Sequence, residues 1–318
     1  MASTELPCRV FPAGPFSRRS LKLPLVFVVV LLVAAICGCR SDTSNPPAVP
    51  AVELTVAAAA DLHAAFTEIG KAFEQQANCR VLLSFGSTGQ LAQQIEHGAP
   101  FDVFAAANVS YLDGLRAKNL IVADSQQLYA RGRIVLVTSK KSGVHATRLA
   151  DLLGSEIKYI AIANPGHAPY GLAARQALEQ SGLWSQLEPK IVLGENVRQA
   201  RQYVLTGNTE AGIIALSIAQ QPDLEFTLID DSLHEPLDQA LAIVADSKQQ
   251  PLARQFIAFL NGPAGRPTMK KYGFLLPDEF DDAKVDPAEH GGDGQRIGVH
   301  AFACLSVPHG WAGVARTR

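Results

Sequence analysis

The sequence predicts an α/β protein whose folded body is a pair of similar lobes with a ligand cleft between them. Three observations carry this. Between Val52 and Leu276, short apolar runs alternate with amphipathic helical patterns, as in sheets whose strands are mostly parallel. Several junctions from strand to helix are built from small or hydroxyl residues, such as Ala57–Asp61 and Ser84–Gln90. The stretch is also long for one open sheet, and Lys140-Lys141-Ser142-Gly143 interrupts the pattern, which places a break after Ile134–Thr138.

Taken in order, the apolar runs predict strands at Leu54–Ala58, Val81–Phe85, Val103–Ala106, Ile134–Thr138, Tyr159–Ala163, Gly212–Leu216, Phe226–Ile229 and Ala240–Val244. After the first strand, Leu62, Ala65, Phe66, Ile69 and Phe73 repeat at helical spacing and form one apolar face. Leu91 and Ile95 do the same after the second. Further helices are predicted at Tyr170–Ser181, Val197–Leu205 and Pro251–Leu260. In α/β sheets of this kind ligands sit beyond the carboxyl ends of the strands, where helix N-termini converge.

The ends of the chain read differently. Leu23–Ile36 is apolar, follows Arg18, Arg19 and Lys22, and precedes Gly38 and Cys39. Basic head, apolar middle and small residue form a secretory signal, and the run falls short of the roughly 20 residues that span a bilayer. Ile36-Cys37-Gly38-Cys39 resembles a lipobox, so residues 1–38 are expected to be a lipoprotein-type signal peptide and Cys39 the lipidated residue. Cleavage nearby to leave a soluble protein is the alternative. Residues 39–50, polar and rich in proline, are expected to be a flexible tether. The folded domain is then expected at 51–276. Residues 277–318 are rich in Gly, Pro and charge, without apolar period, and predict a disordered tail.

Composition narrows the function. The chain has 28 Lys+Arg against 30 Asp+Glu, which excludes the strong basic field of a nucleic-acid binder. Of five cysteines, Cys8 and Cys37 would leave with the signal and Cys39 would carry lipid, so Cys79 and Cys304 make no disulfide framework.

The junctions carry the chemistry. In Ser84-Phe85-Gly86-Ser87-Thr88-Gly89-Gln90, two glycines allow a tight turn, Ser87 and Thr88 offer hydroxyls, and the helix start offers free N–H groups. This can bind an anion, or it can simply cap the helix. It lacks the Lys of a P-loop and the third Gly of a dinucleotide loop. In the alanine-rich junction Ala57–Asp61 the main chain is accessible, and Asp61 either caps the helix or faces the cleft. In the second half, Asn164–Gly171 and Gly194–Arg198 repeat the character; Tyr170 is a cleft or a wall residue, and Val197 can contribute its main-chain N–H. Arg198 and Arg201 read as solvated. His63, His97, His145 and His167 have no metal-ligand spacing, and no Gly-x-Ser-x-Gly elbow accompanies Ser87.

The segments TVAAAADL, LSFGSTGQLAQQIEHGAPFDVFAAAN, IANPGHAPYGLAARQAL, GENVRQARQYVLTGNTEAGIIALS and KKYGF, in that order, resemble the periplasmic molybdate-binding proteins of bacterial ABC importers. The resemblance implies a type II periplasmic binding fold with two Rossmann-like lobes that closes on molybdate or tungstate through neutral hydrogen bonds. Carried over by position, the oxyanion contacts fall at Ala60, Asp61, Ser87, Thr88, Tyr170 and Val197. Two departures stand out: many relatives have a hydroxyl residue where this chain has Asp61, and some place a ligand tyrosine where it has Ala215, for which Tyr170 looks like the replacement.

The expected function is therefore a monomeric periplasmic receptor, lipid-anchored or soluble, that delivers molybdate or tungstate to an ABC permease and its ATPase. It has no cofactor, no enzymatic activity and no nucleic-acid partner, and binds metal only as the oxyanion. The rival readings are a receptor for another anion such as phosphate, with Asp61 as acceptor, and a secreted hydrolase using Ser87 with a histidine.

Overall fold

The computed structural model describes residues 52–280. Ten strands are β1 (Glu53–Ala59), β2 (Arg80–Gly86), β3 (Val103–Ala106), β4 (Gln127–Gly132), β5 (Ile134–Ser139), β6 (Ile160–Ala163), β7 (Ile191–Gly194), β8 (Ala211–Ala215), β9 (Leu224–Leu228) and β10 (Leu237–Ile243). The helices are α1 (His63–Ala77), α2 (Thr88–Glu96), α3 (Val109–Ala117), α4 (Pro169–Gln180), α5 (Trp184–Leu187), α6 (Val197–Thr206), α7 (Leu216–Ala219), α8 (Gln250–Asn261) and α9 (Arg266–Lys271).

The strands form two five-stranded sheets, ordered β2-β1-β3-β10-β4 and β7-β6-β8-β5-β9. The continuous apolar character of β1 follows from burial on both faces. Leu54, Val56 and Ala58 pack into one core with Phe66, Ile69 and Phe73 of α1. Ala57, pointing the other way, packs with Leu91, Ile95, Phe104 and Leu112. The hydrophobic stripe predicted for α1 is the one buried, and the chain leaves that helix through Asn78 in the left-handed region (φ 47°).

In each sheet four strands run in one direction and one runs against them. β1 pairs in parallel with β2 and β3, β6 with β7 and β8, while β10 and β5 are antiparallel to their neighbours. The strands are mostly parallel in direction, as expected, and one reversed strand makes each sheet mixed. The eight predicted strands form, with ends moved by up to three residues. The sequence reading missed β4, an edge strand carrying polar Gln127 and Arg131, and β7, four residues long.

The break also lies elsewhere. Ile134–Thr138 belongs to the second sheet, paired with Ala215–Ala211, and Lys140–Ser142 is a short 3-10 turn inside that lobe, ending at Gly143 with φ 69°. The chain crosses between lobes at Arg133, where β4 ends and β5 begins, and returns between β9 and β10. The first lobe is thus discontinuous, closed by β10, α8 and α9. The structured chain runs past Leu276 through a 3-10 turn to Phe280, whose ring lies 4.2 Å below the Arg131 guanidinium. The expectations for the signal, Cys39, the tether and residues 281–318 fall outside the described residues. Among the described residues no helix is long and apolar enough to cross a membrane.

Candidate functional site

The parallel register of β1 and β2 sets Ala59 against Gly86, so both strands end at the same level. Beyond these ends lies a cavity between the lobes. The first lobe lines it with Ala59–Asp61, Gly86–Thr88 and Ala107; the second contributes Ala168–Tyr170, Asn196 and Val197. All six residues carried over by resemblance border this one cavity, although they come from four separate junctions. A larger cavity borders Asp102, Leu120 and Ser247 at the opposite end of the first sheet's strands, and none of the six residues reaches it.

Three helices begin at the site. Ser87 stands at the start of α2 with extended backbone, and its side chain makes no capping bond. At the start of α6, Asn196 accepts from the N–H groups of Arg198 and Gln199, which leaves the Val197 N–H with no acceptor among the described residues. The Thr88 N–H has none either. Thr88 Oγ1 accepts from the Ala107 N–H at 3.2 Å, so its own proton remains free to donate. These are donors at the positive ends of helix dipoles, suited to an anion. Among the described residues no lysine or arginine lines the cavity.

The Ser87 hydroxyl reaches across the cleft, donating to the His167 carbonyl at 2.6 Å. Its oxygen also lies 2.8 Å from His167 Nδ1. A hydroxyl has one proton, so the ring nitrogen is the donor in that second contact. A bound anion would compete with His167 for the Ser87 proton.

Asp61 does not cap the helix that follows it. It lies within a 3-10 turn, Ala60–Leu62, and its side chain is 1% exposed. Oδ2 accepts from the Tyr170 phenol at 2.9 Å and from Gln239 Nε2 at 2.7 Å. Oδ1 is buried without a partner among the described residues. Burial raises the Asp61 pKa to about 6, against the opposing pull of the Gln239 and Tyr170 hydrogen bonds. Burial also holds the Tyr129 and Tyr170 phenols well above 10, with the Asp61 charge adding to the effect.

Gln239 is fully buried on β10 where the register shifts between Gln239 and Ala240. Such irregularities re-aim a side chain. The Tyr129 phenol donates to Gln239 Oε1 at 2.9 Å, so the amide must turn its nitrogen toward Asp61 and the Tyr170 oxygen, which it meets at 2.9 Å. Neither Gln239 nor Tyr129 was singled out from sequence; a glutamine inside the apolar run Leu237–Ile243 was the available signal.

Tyr170 belongs to the second lobe and Asp61 and Gln239 to the first, so this network joins the lobes. Ser217 Oγ donates to the Asp61 carbonyl at 2.9 Å, the Gly89 N–H donates to the His167 carbonyl at 2.9 Å, and Gln90 Nε2 donates to Glu195 Oε1 at 2.8 Å. The lobes are closed on one another. Two glycines permit the approach: a Cβ on Gly89 would lie 2.8 Å from the His167 carbonyl oxygen, and one on Gly132 would overlap the Tyr170 hydroxyl.

Arg198 and Arg201 are half-buried rather than solvated. Arg198 lies 6.0 Å from the Phe85 ring centroid, and Arg201 Nη1 donates to the Ile218 carbonyl at 3.2 Å. Burial first, then these two guanidinia, lower the His63 pKa. Cys79 is a buried free thiol. Among the described residues no group of three or more His, Cys, Asp or Glu side chains stands ready for a metal ion.

Residues 54–275 match the family model of the bacterial extracellular solute-binding protein. The chain is 36% identical over 254 residues to the molybdate-binding protein ModA of Azotobacter vinelandii, covering 78% of this chain and 97% of that one. It is 31% identical to the putative ABC transporter substrate-binding lipoprotein YvgL of Bacillus subtilis, covering 78% of this chain and 96% of the relative. Among solved structures it is similar to the periplasmic molybdate-binding protein of Azotobacter vinelandii, with a TM-score of 0.67 and 30% identity over 70% of this chain and 99% of the other. The sulfate-binding protein SubI of Mycobacterium tuberculosis shares the fold, with a TM-score of 0.64 at 14% identity.

Proposed function

Because this chain belongs to the bacterial extracellular solute-binding protein family, we propose that it captures molybdate outside the cytoplasm and delivers it to an ABC import permease. One observation supports the reading above others: junctions distant in sequence, from both lobes, gather unpaired N–H groups and hydroxyls around one cavity with no cationic side chain. Hydrogen bonds to a charged group contribute about 1.5–3 kcal/mol each. Several preoriented donors therefore replace much of an oxyanion's hydration without a countercharge.

Ala60, Asp61, Ser87, Thr88, Tyr170 and Val197 are the proposed contacts, Ala60 and Val197 through the main chain and Tyr170 as a wall of the cavity whose phenol proton is held by Asp61. Tungstate, with the same shape, binds as molybdate does. Sulfate is smaller and would leave donors in a closed cleft unpaired, which is how such a site rejects it. The chain acts as a binding protein and not an enzyme, as a monomer, held at the membrane through lipid on Cys39, with the ATPase of its partner supplying the energy of transport.

The hydrolase reading draws on the Ser87–His167 contact, but three features oppose it. The serine proton goes to a main-chain carbonyl, the ring nitrogen beside it is the protonated one, and no carboxylate bonds to the His167 ring among the described residues. Ester hydrolysis lost in a Ser87→Ala variant would restore that reading.

Calorimetric titration with molybdate, tungstate, sulfate and phosphate at neutral pH tests the proposal. One-to-one binding of the first two, with sulfate and phosphate silent, is expected; binding of phosphate alone would transfer the role of ligand to a protonated oxyanion.

A further inference from the structure

A carboxylate at the edge of a site for a dianion calls for a physical account. Asp61 borders the cavity, and its charge is compensated by no cation among the described residues. Oδ2 is committed, with two donors fixed upon it: the Tyr170 phenol, and the Gln239 amide that Tyr129 holds in one orientation. Oδ1 has no partner among the described residues and no access to solvent. An acceptor oxygen in that position is unfavourable as an anion, and doubly so with a second negative charge in the neighbouring cavity. As a carboxylic acid, the same group satisfies Oδ2 unchanged and gains an O–H at Oδ1.

Resting on the oxyanion reading above, we propose that Asp61 is a proton-bearing selectivity residue: the closed cleft takes up the oxyanion dianion together with one proton, held on Asp61 Oδ1. The balance is simple. One proton from solvent joins the Asp61 carboxylate, no other bond is made or broken, and the acid then acts as one more neutral donor beside Thr88 and Val197. The proton is a co-ligand, and affinity falls as solvent protons become scarce.

The groups around Asp61 are consistent with this. From α4 and β4 the titratable neighbours are Tyr170 and Tyr129, both held neutral. From β10 comes the neutral Gln239, while Asp238 beside it is paired with Arg131. His63 on α1 is next in line, its pKa lowered. On α6, Arg198 stacks near Phe85 and Arg201 bonds to the Ile218 carbonyl, so neither guanidinium hydrogen-bonds to the carboxylate. The α7 segment offers only Ser217, which binds the Asp61 main chain, and the charged residue of β2, Arg80, is at its far end with Glu53. The Asp61 pKa, raised by burial to about 6, brings its protonation close to the neutral range.

The experiment is calorimetry of the wild-type protein with molybdate from about pH 6 to about pH 8.5, repeated in buffers of different ionisation enthalpy so that proton uptake is read directly. Uptake is expected to approach one proton per molybdate at the alkaline end, and Kd to rise about tenfold per pH unit there, flattening toward about pH 6. In Asp61→Asn, both the uptake and the slope should vanish. Wild-type binding with flat Kd and no proton uptake would overturn the inference while leaving the oxyanion reading intact. A slope that persists in Asp61→Asn would overturn the assignment to Asp61. No binding of molybdate, tungstate, sulfate or phosphate at any of these pH values would remove the oxyanion reading and the proton with it. The wild-type titrations decide the question even where the variant does not fold.

Discussion

Asp61 and Tyr170 are 109 positions apart and sit in different lobes, yet the Tyr170 phenol donates to Asp61 Oδ2 at 2.9 Å with both side chains fully buried. The contact bridges the two lobes, so it links the geometry of the site to the conformational equilibrium that a ligand shifts.

Tyr170→Phe removes the interlobe donor and leaves Asp61 Oδ2 with Gln239 alone. Loss of one partner from a buried, charged hydrogen bond costs about 1–3 kcal/mol. Molybdate affinity should fall about tenfold to hundredfold, measured by calorimetry. Unchanged affinity would show that closure does not depend on this pair.

Gly89→Ala places a methyl group 2.8 Å from the His167 carbonyl oxygen, a main-chain atom that can move only with its lobe. Binding should weaken by about tenfold or more, and X-ray scattering with saturating molybdate should show a more open molecule than wild type.

Gly132→Ala drives its new methyl into the Tyr170 hydroxyl and close to Gln239 Nε2. Overpacking of this sort costs about 1–3 kcal/mol. Urea unfolding should show that loss, and the double variant with Tyr170→Phe should be less destabilised than the sum of the two, because removing the hydroxyl relieves the worst contact.

The pH dependence of stability has a definite sign at Asp61. Its pKa rises from 3.8 to about 6 on folding, so the native state holds the proton more tightly than the unfolded chain. That contribution is complete below the unfolded pKa and is lost as pH rises through about 6. Two pKa units correspond to about 3 kcal/mol. Without ligand, Asp61→Asn should therefore gain stability relative to wild type between about pH 4 and about pH 7.5, in parallel urea titrations. A difference independent of pH would show that Asp61 does not titrate in this range.

Much of this molecule was legible in one dimension. The alternation of apolar runs with helical stripes at Leu54–Ala58 and Leu62–Phe73 specified strand and helix, because burial on both sheet faces and along one helix stripe imposes periods that local sequence records. The small and hydroxyl residues at Ala57–Asp61 and Ser84–Gln90 marked where strand ends meet helix starts, and family resemblance located the six candidate residues that one cavity brings together.

What only the tertiary structure decided is how distant segments meet. Antiparallel β5 and β10 join their sheets through pairings with Ala211–Ala215 and Val103–Ala106, so the lobe boundary fell at Arg133 and not at Lys140–Gly143. The role of Asp61 was likewise undecidable from its neighbours, since a carboxylate before a helix is locally indistinguishable from a cap. Its actual partners, Tyr170 and Gln239, are 109 and 178 positions away. Hydrogen bonds and desolvation act through space, and their partners are fixed only when the two lobes close.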